Sequence, residues 1–295
     1  MTRVVVGLAG LARLAQKPGL DHVLDWALRE AEATGARLVI VRAEVRRPEV
    51  LAAVARGGGA QLEEADPVLA RAVTRARTTL GADRVDVMAD RDRAGPVLVQ
   101  AARMGDLVVV GAPTVSGWWG RGSTTYHVMT RAMCPVVAVH QVEADLGDRP
   151  FRGQVVVGAD GSPAGHAAVA FAFAYADRRQ LPVVAATTCA HPVQDVWFDD
   201  QFLETHLGAE PAEAAMLAGD IEPWHLKHPD VAVRRAVVGG GDAVAGLRRV
   251  CAGAALLVVG TAADRTARLG QVSRSLVERA DCPVAVVRPD TEWEI

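Results

Sequence analysis

VVVGADGS, Val155–Ser162, runs from three β-branched residues into a glycine, a turn and a helix start, and VVVGLAG stands 151 residues earlier at Val4–Gly10. Two further blocks repeat in the same order. GDLVVVG (Gly105–Gly111) is answered by AALLVVG (Ala254–Gly260), 149 residues on. RAMCPVVAVH (Arg131–His140) is answered by RADCPVAVVR (Arg279–Arg288), 148 residues on. Three matching blocks with so little drift identify a duplication, which is the first thing to look for in a chain of this length.

Within each half, short apolar runs alternate with longer Ala/Leu/Arg stretches of helical character. The first half predicts strands near residues 3–7, 37–42, 84–88, 107–111 and 136–140. The second predicts them near 154–158, 182–187, 231–237, 256–260 and 284–288. Helices are predicted over 20–34, 66–80, 95–104 and 124–132, and over 163–179, 212–225, 242–251 and 272–280. Strands that are apolar on both faces and separated by helices belong in a parallel sheet covered on both sides. Their crossovers must be right-handed, which gives two tandem Rossmann-like, doubly wound α/β domains. The polar connector QVEADLGDRPFRG (Gln141–Gly153) marks the boundary. The expected organisation is a first domain over 1–142, a linker over 143–153, a second domain over 154–290 and a tail over 291–295.

Composition narrows the function classes. Half of the 295 residues are hydrophobic, 23% are charged and the net charge is −3. This is an ordinary globular balance, without the basic footprint that nucleic acid or an anionic membrane surface would need. Two of the 32 basic residues are lysines, Lys17 and Lys227. The opening MTRVVVGLAG goes straight into a strand without a basic region and an apolar signal core. No apolar run approaches the roughly 18 residues of a membrane span. The four cysteines stand far apart. Reduced, buried thiols and a cytoplasmic location are therefore expected.

A strand ending in V-G-x-D-G-S, a later strand ending in VVVG, a glycine loop and then A-x-C-P-V together resemble the universal stress protein family, twice over nearly the whole chain. The resemblance implies a bacterial-type stress-response or signalling module with a five-stranded parallel sheet of order 3-2-1-4-5 in each half. It also implies an adenine-nucleotide site, with ATP and magnesium as the ligand, in the crevice outside the first and fourth strands. In ATP-binding members the aspartate after the first strand contacts the nucleoside. A loop G-x2-G-x9-G-[ST] after the fourth strand wraps the phosphates, where glycines admit backbone N–H groups and a helix N-terminus favours anions.

On that pattern the second half offers Gly158, Ala159, Asp160, Gly260, Gly270, Gln271, Val272 and Ser273. The first offers Gly111, Gly122, Ser123, Thr124 and Thr125. Both halves depart from it. Ala9 and Leu11 stand where the second half has Asp160 and Ser162, so the first half lacks the carboxylate. From Gly111 to Gly122 its loop is two residues short of the family spacing, with Thr114 in place of a glycine. From Gly260 to Gly270 the second loop is three short, with Ala263 for a glycine, Gln271 for the serine or threonine, and an added acid, Asp264.

Each motif also reads as plain architecture. Asp160-Gly161-Ser162-Pro163 is a turn, an N-cap and a first-position proline. Ser123 or Thr124 is a helix cap. Trp118-Trp119 reads as an indole packed over helix ends or as a partner surface. His191–His206 and the pair His225 and His228 lack tight metal-ligand spacing. Cys134 and Cys282, each before a proline, read as buried small residues. There is no P-loop lysine motif, nucleophile elbow or zinc-protease pair. The expectation is no catalytic site, and at most slow ATP hydrolysis. The alternative reading is a protein-interaction scaffold with decayed sites, in which Val136–Val139 and Val284–Val287 pack across a pseudo-two-fold axis.

Overall fold

Valine-rich runs of four to six residues become strands in the computed structural model, and the alanine-rich stretches between them become helices. The structure describes residues 3–8, 21–113, 123–140, 151–189, 196–199, 212–239, 242–262 and 269–289. The chain divides into two compact units, one in each half. The first contains β1 (Arg3–Gly7), α1 (Asp21–Thr34), β2 (Arg37–Arg42), α2 (Pro48–Ala55), α3 (Ala60–Ala65) and α4 (Pro67–Leu80). These are followed by β3 (Val85–Ala89), α5 (Ala94–Ala101), β4 (Leu107–Gly111), α6 (Thr124–Arg131) and β5 (Val136–Val139). The second contains β6 (Val155–Gly158), α7 (Pro163–Arg179), β7 (Val183–Thr188), β8 (Val196–Asp199) and α8 (Ala212–Lys227). These are followed by β9 (Val233–Val238), α9 (Ala243–Cys251), β10 (Leu256–Gly260), α10 (Gln271–Arg279) and β11 (Val284–Val287).

The first sheet has the order β3-β2-β1-β4-β5, all parallel, with Val5 opposite both Val39 and Val108. The second repeats it as β9-β7-β6-β10-β11, with Val156 opposite Val184 and Leu257. The expected strand order is found in both. The second sheet differs by one strand, because β8 lies antiparallel on the outside of β9 with Trp197 opposite Ala236. That strand, VWFD, falls in the stretch of mixed acids and aromatics that reads as a loop in sequence. Helices α2 and α3 are the other additions. They are short, and the glycines Gly57, Gly58 and Gly59 between them, all at positive φ, hide the periodicity.

Both faces of each sheet are covered, so the central strands are buried throughout: Val4, Val5 and Val6 in one unit, Val155, Val156 and Val157 in the other. Helix α1 packs on α4 and α5 on α6, while α7 packs on α8 and α9 on α10. The helix ends follow local chemistry. Asp66, Ser162 and Asp242 cap α4, α7 and α9 through their side-chain oxygens, with Pro67 and Pro163 at the first helical position. No helix among the described residues is long and apolar enough to cross a membrane.

The duplication extends to packing. A Cβ on Gly7 would lie 2.8 Å from Leu98 Cδ1, and one on Gly158 would lie 3.2 Å from Leu247 Cδ1. Each glycine ends the first strand of its unit, beside the leucine of the equivalent helix. The units differ at the opposite end of the sheet. Arg3 donates to the Asp106 carboxylate and to the carbonyl of Ala101, and Asp106 also accepts from the Arg103 N–H at 2.8 Å. The Asp106 side chain is 1% exposed and that of Arg3 20%. In the second unit the corresponding residues are Gln154 and Ala255, joined only through the backbone.

A buried carboxylate deprived of its counter-ion is costly, so Arg3→Gln should destabilise the protein by about 3 kcal/mol. The double substitution Arg3→Gln with Asp106→Ala, which copies the second unit, should recover most of that loss. Urea unfolding of the three proteins checks the order: the double variant must be more stable than Arg3→Gln alone.

Candidate functional site

In each unit the first and fourth strands lie side by side and their crossovers leave in opposite directions. This opens a crevice beyond their carboxyl ends, the place where doubly wound sheets bind ligands. In the second unit the chain leaves β6 through Gly158, buried Ala159 and exposed Asp160. Gly161 then turns at φ 71° into Ser162, the cap of α7. Asp160 Oδ1 accepts from the Ser162 N–H at 3.0 Å and from its hydroxyl at 2.6 Å. The same hydroxyl oxygen accepts from the Gly165 N–H at 3.0 Å. One carboxylate oxygen is thereby committed to the turn, while Oδ2 takes no part in it. Gly165 makes this arrangement possible, since a Cβ there would sit 2.5 Å from Asp160 Oδ1.

Across the crevice, Gly260 ends β10 against the first turn of α7. A Cβ on it would lie 2.2 Å from the carbonyl oxygen of Ala164. This glycine is therefore required by helix packing, whatever else approaches it. Helix α10 begins at Gly270, which has no side-chain acceptor for the first-turn N–H groups. Gln271 and Val272 are exposed at this end. Ser273 is buried, and its hydroxyl donates to the carbonyl of Gly260 at 2.8 Å. The structure thus places Asp160, Gly260, Gly270, Gln271, Val272 and Ser273 around the ends of β6 and β10. Ala263 and Asp264 lie outside the described residues.

The first unit has the same tie, with the Thr125 hydroxyl donating to the Gly111 carbonyl at 2.8 Å. Its helix α6 is capped differently, by Ser123 accepting from the Tyr126 N–H at 3.3 Å, and Thr124 opens the helix. Gly122, Ala9, Leu11 and the Trp118-Trp119 pair lie outside the described residues. At the end of β2, Arg42 donates to Asp66 Oδ2 at 2.9 Å and to the Leu8 carbonyl at 3.3 Å. Asp66 also caps α4 through the Leu69 N–H. This unit therefore has a guanidinium–carboxylate pair beside its first strand, where the second unit has the buried Thr187. The only sequence signal was an arginine closing the apolar run RLVIVR.

The remaining candidates are scattered. His228 bonds Asp177 at 2.9 Å, and His225 lies in the last turn of α8. Among the described residues no group of three His, Cys, Asp or Glu is close enough to hold a metal. All four cysteines are free and buried. Burial, with the nearby Asp106 charge, pushes the Cys134 thiol up to about 12. A hydrogen bond with Cys251, together with burial, holds the Cys282 thiol well above the ordinary range.

The universal stress protein family model matches residues 3–140 and again 152–288. The chain belongs to the universal stress protein family. It is a tandem member, with one family domain in each half. Universal stress protein Rv2623 of Mycobacterium tuberculosis is 31% identical over 286 residues, covering 92% of this chain and 93% of that one. Universal stress protein Rv2005c of the same organism is 32% identical over 241 residues, covering 77% and 78%. A universal stress protein from Archaeoglobus fulgidus has a crystal structure that superposes with a TM-score of 0.61 over 97% of this chain and 96% of that one. At 14% identity it bears on the fold alone.

The two strand-ending glycines separate packing from ligand approach. Gly260→Ala must push apart β10 and α7 and should cost about 1–3 kcal/mol. Among the described residues Gly111→Ala meets only Val23 Cγ2, at 3.6 Å, and it should be close to neutral. Thermal unfolding of both variants without ligand checks the difference.

Proposed function

We propose that this tandem universal stress protein is a stress-response module whose second domain binds an adenine nucleotide weakly, ATP with magnesium being the test ligand. The observation that carries this reading is the pairing of two features at one crevice. Asp160 stands at the end of β6 with one carboxylate oxygen outside the turn, and α10 starts nearby at a residue that offers its N–H groups no side-chain acceptor. A carboxylate suits the hydroxyls and amine of a nucleoside, and an uncapped helix start suits phosphate. Gly158, Ala159 and Gly260 form the floor, and Gly270, Gln271, Val272 and Ser273 the phosphate side. The first domain is the weaker candidate. It has Ala9 for the carboxylate and the Arg42–Asp66 pair beside β1, while Ser123 already takes a first-turn N–H of α6.

Turnover is slow on this reading. Of the two lysines, Lys227 lies over the Trp224 ring, 5.3 Å from its centroid, and no base is placed for phosphoryl transfer among the described residues. A second reading, a protein-interaction scaffold, is favoured by Ser273, whose hydroxyl is spent on Gly260. Protein partners or self-association fit either reading.

The test is a thermal-unfolding scan with and without millimolar ATP and magnesium. ATP at about 100 times its dissociation constant stabilises the native state by about 2.7 kcal/mol, a rise of a few degrees. The control is Asp160→Asn, which keeps the oxygen that accepts from Ser162 and removes the charge. A rise in the wild type that is lost in Asp160→Asn supports the nucleotide site. No rise in either folded protein leaves the scaffold reading in front.

A further inference from the structure

Helix α8 leans on the turn that follows β6. A Cβ on Gly161 would lie 3.2 Å from Met216 Sδ, and Asp220 stands one helical turn further along the same face of α8. Asp220 Oδ1 is 2.9 Å from His166 Nε2, in the first turns of α7. The His166 backbone N–H bonds the Ser162 carbonyl at 2.9 Å, so the imidazole belongs to the segment that carries Asp160 and its cap. The two side chains differ sharply in exposure: 53% for His166 and 9% for Asp220. The second carboxylate oxygen, Asp220 Oδ2, is buried and has no hydrogen-bond partner among the described residues.

A carboxylate only accepts, so Nε2 of His166 carries the hydrogen of this bond and the tautomer is fixed. In the neutral ring Nδ1 is then an acceptor. Burying a carboxylate with one oxygen unsatisfied costs free energy, and a fold gains nothing from it by packing alone. A buried acid that holds an exposed imidazole in one orientation is the arrangement by which proteins aim a ring nitrogen. Bridging the two helices does not require it either. In the first unit the matching pair, α1 and α4, is joined by an ion pair between Asp25 and Arg75.

We infer that His166, oriented by Asp220, is a specificity-determining residue of the second-domain crevice. Its Nδ1 accepts a hydrogen bond from the nucleoside part of the ligand, from the exocyclic amine of the base or from the ribose 2′-hydroxyl. This rests on the nucleotide reading above and extends it, adding an acceptor from α7 and an orienting acid from α8 to the nucleoside side that Asp160 begins. Asp220 is a positioning residue: it acts through His166 and not on the ligand.

Isothermal titration calorimetry on the full chain tests this with ATP, inosine triphosphate and 2′-deoxy-ATP, each with magnesium. Inosine triphosphate replaces the amine by a carbonyl, and the deoxy analogue removes one hydroxyl. The wild type should bind ATP about tenfold more tightly than one of the two analogues, and which one identifies the donor. His166→Phe and His166→Ala should bind ATP about tenfold more weakly and bind that analogue as before, so the preference disappears. Asp220→Asn should narrow it. Equal affinities for all three nucleotides in the wild type, or an unchanged preference in both folded His166 variants, would overturn the role of His166 while leaving the nucleotide site in place. No heat with any nucleotide in the wild type overturns the site and the inference together. A structural role alone would lower the unfolding temperature and leave the ratio of affinities unmoved.

Discussion

The parallel pairing of the first and fourth strands in each repeat is the constraint on which the rest depends. Val5 against Val108, and Val156 against Leu257, set two strands side by side whose crossovers must depart in opposite directions. A crevice at their carboxyl ends is then unavoidable, because no helix can cover the point where the winding reverses. The glycines of this region answer to the same pairing. Gly7 and Gly158 make room for a leucine of the helix that leads into the fourth strand, and Gly260 makes room for the first turn of α7. Close packing and ligand access therefore compete for the same few residues.

That competition explains how the two crevices have diverged. Both keep the hydroxyl that ties the last helix to the end of the fourth strand, Thr125 on Gly111 and Ser273 on Gly260. This tie serves the fold with or without a ligand. Above it the repeats part. One places an arginine–aspartate pair at the end of β2, and the other keeps an acid at the end of β6, with Met216 of α8 against the turn that follows and His166 bonded to Asp220 between two helices. Among the described residues, Arg42 and Asp66 pair with each other in the first unit, whereas Asp160 Oδ2 takes no part in the turn of the second.

Much of the fold was legible in the sequence because repetition supplies a second copy against which each run can be checked. VVVG ending a strand three times, and LVVG a fourth, is hard to misread, and the boundaries of β1, β2, β4 and β10 fall where the apolar runs do. What escaped was local. β8 is four residues long and joins its sheet through an antiparallel register that no crossover rule requires. Helices α2 and α3 are interrupted by three glycines. The site was legible only as far as it follows a linear motif. Asp160 to Ser162 and Gly270 to Ser273 are contiguous and could be read. His166 with Asp220 is a contact across 54 residues between helices, and Arg42 with Asp66 one across 24. Neither partner is conspicuous until the helices are packed.

The buried ion pair of Arg3 and Asp106 has a bearing on how the two halves grew apart. One repeat has the pair and the other has glutamine and alanine, so any line of descent joining them passed through a protein with only one of the two charges. The intermediates are unequal. An arginine without its aspartate reaches water along a side chain that is already partly exposed, whereas the aspartate without its arginine has no way out. Whichever repeat is closer to the ancestor, the tolerable path is the one in which the acid is the last to arrive or the first to leave.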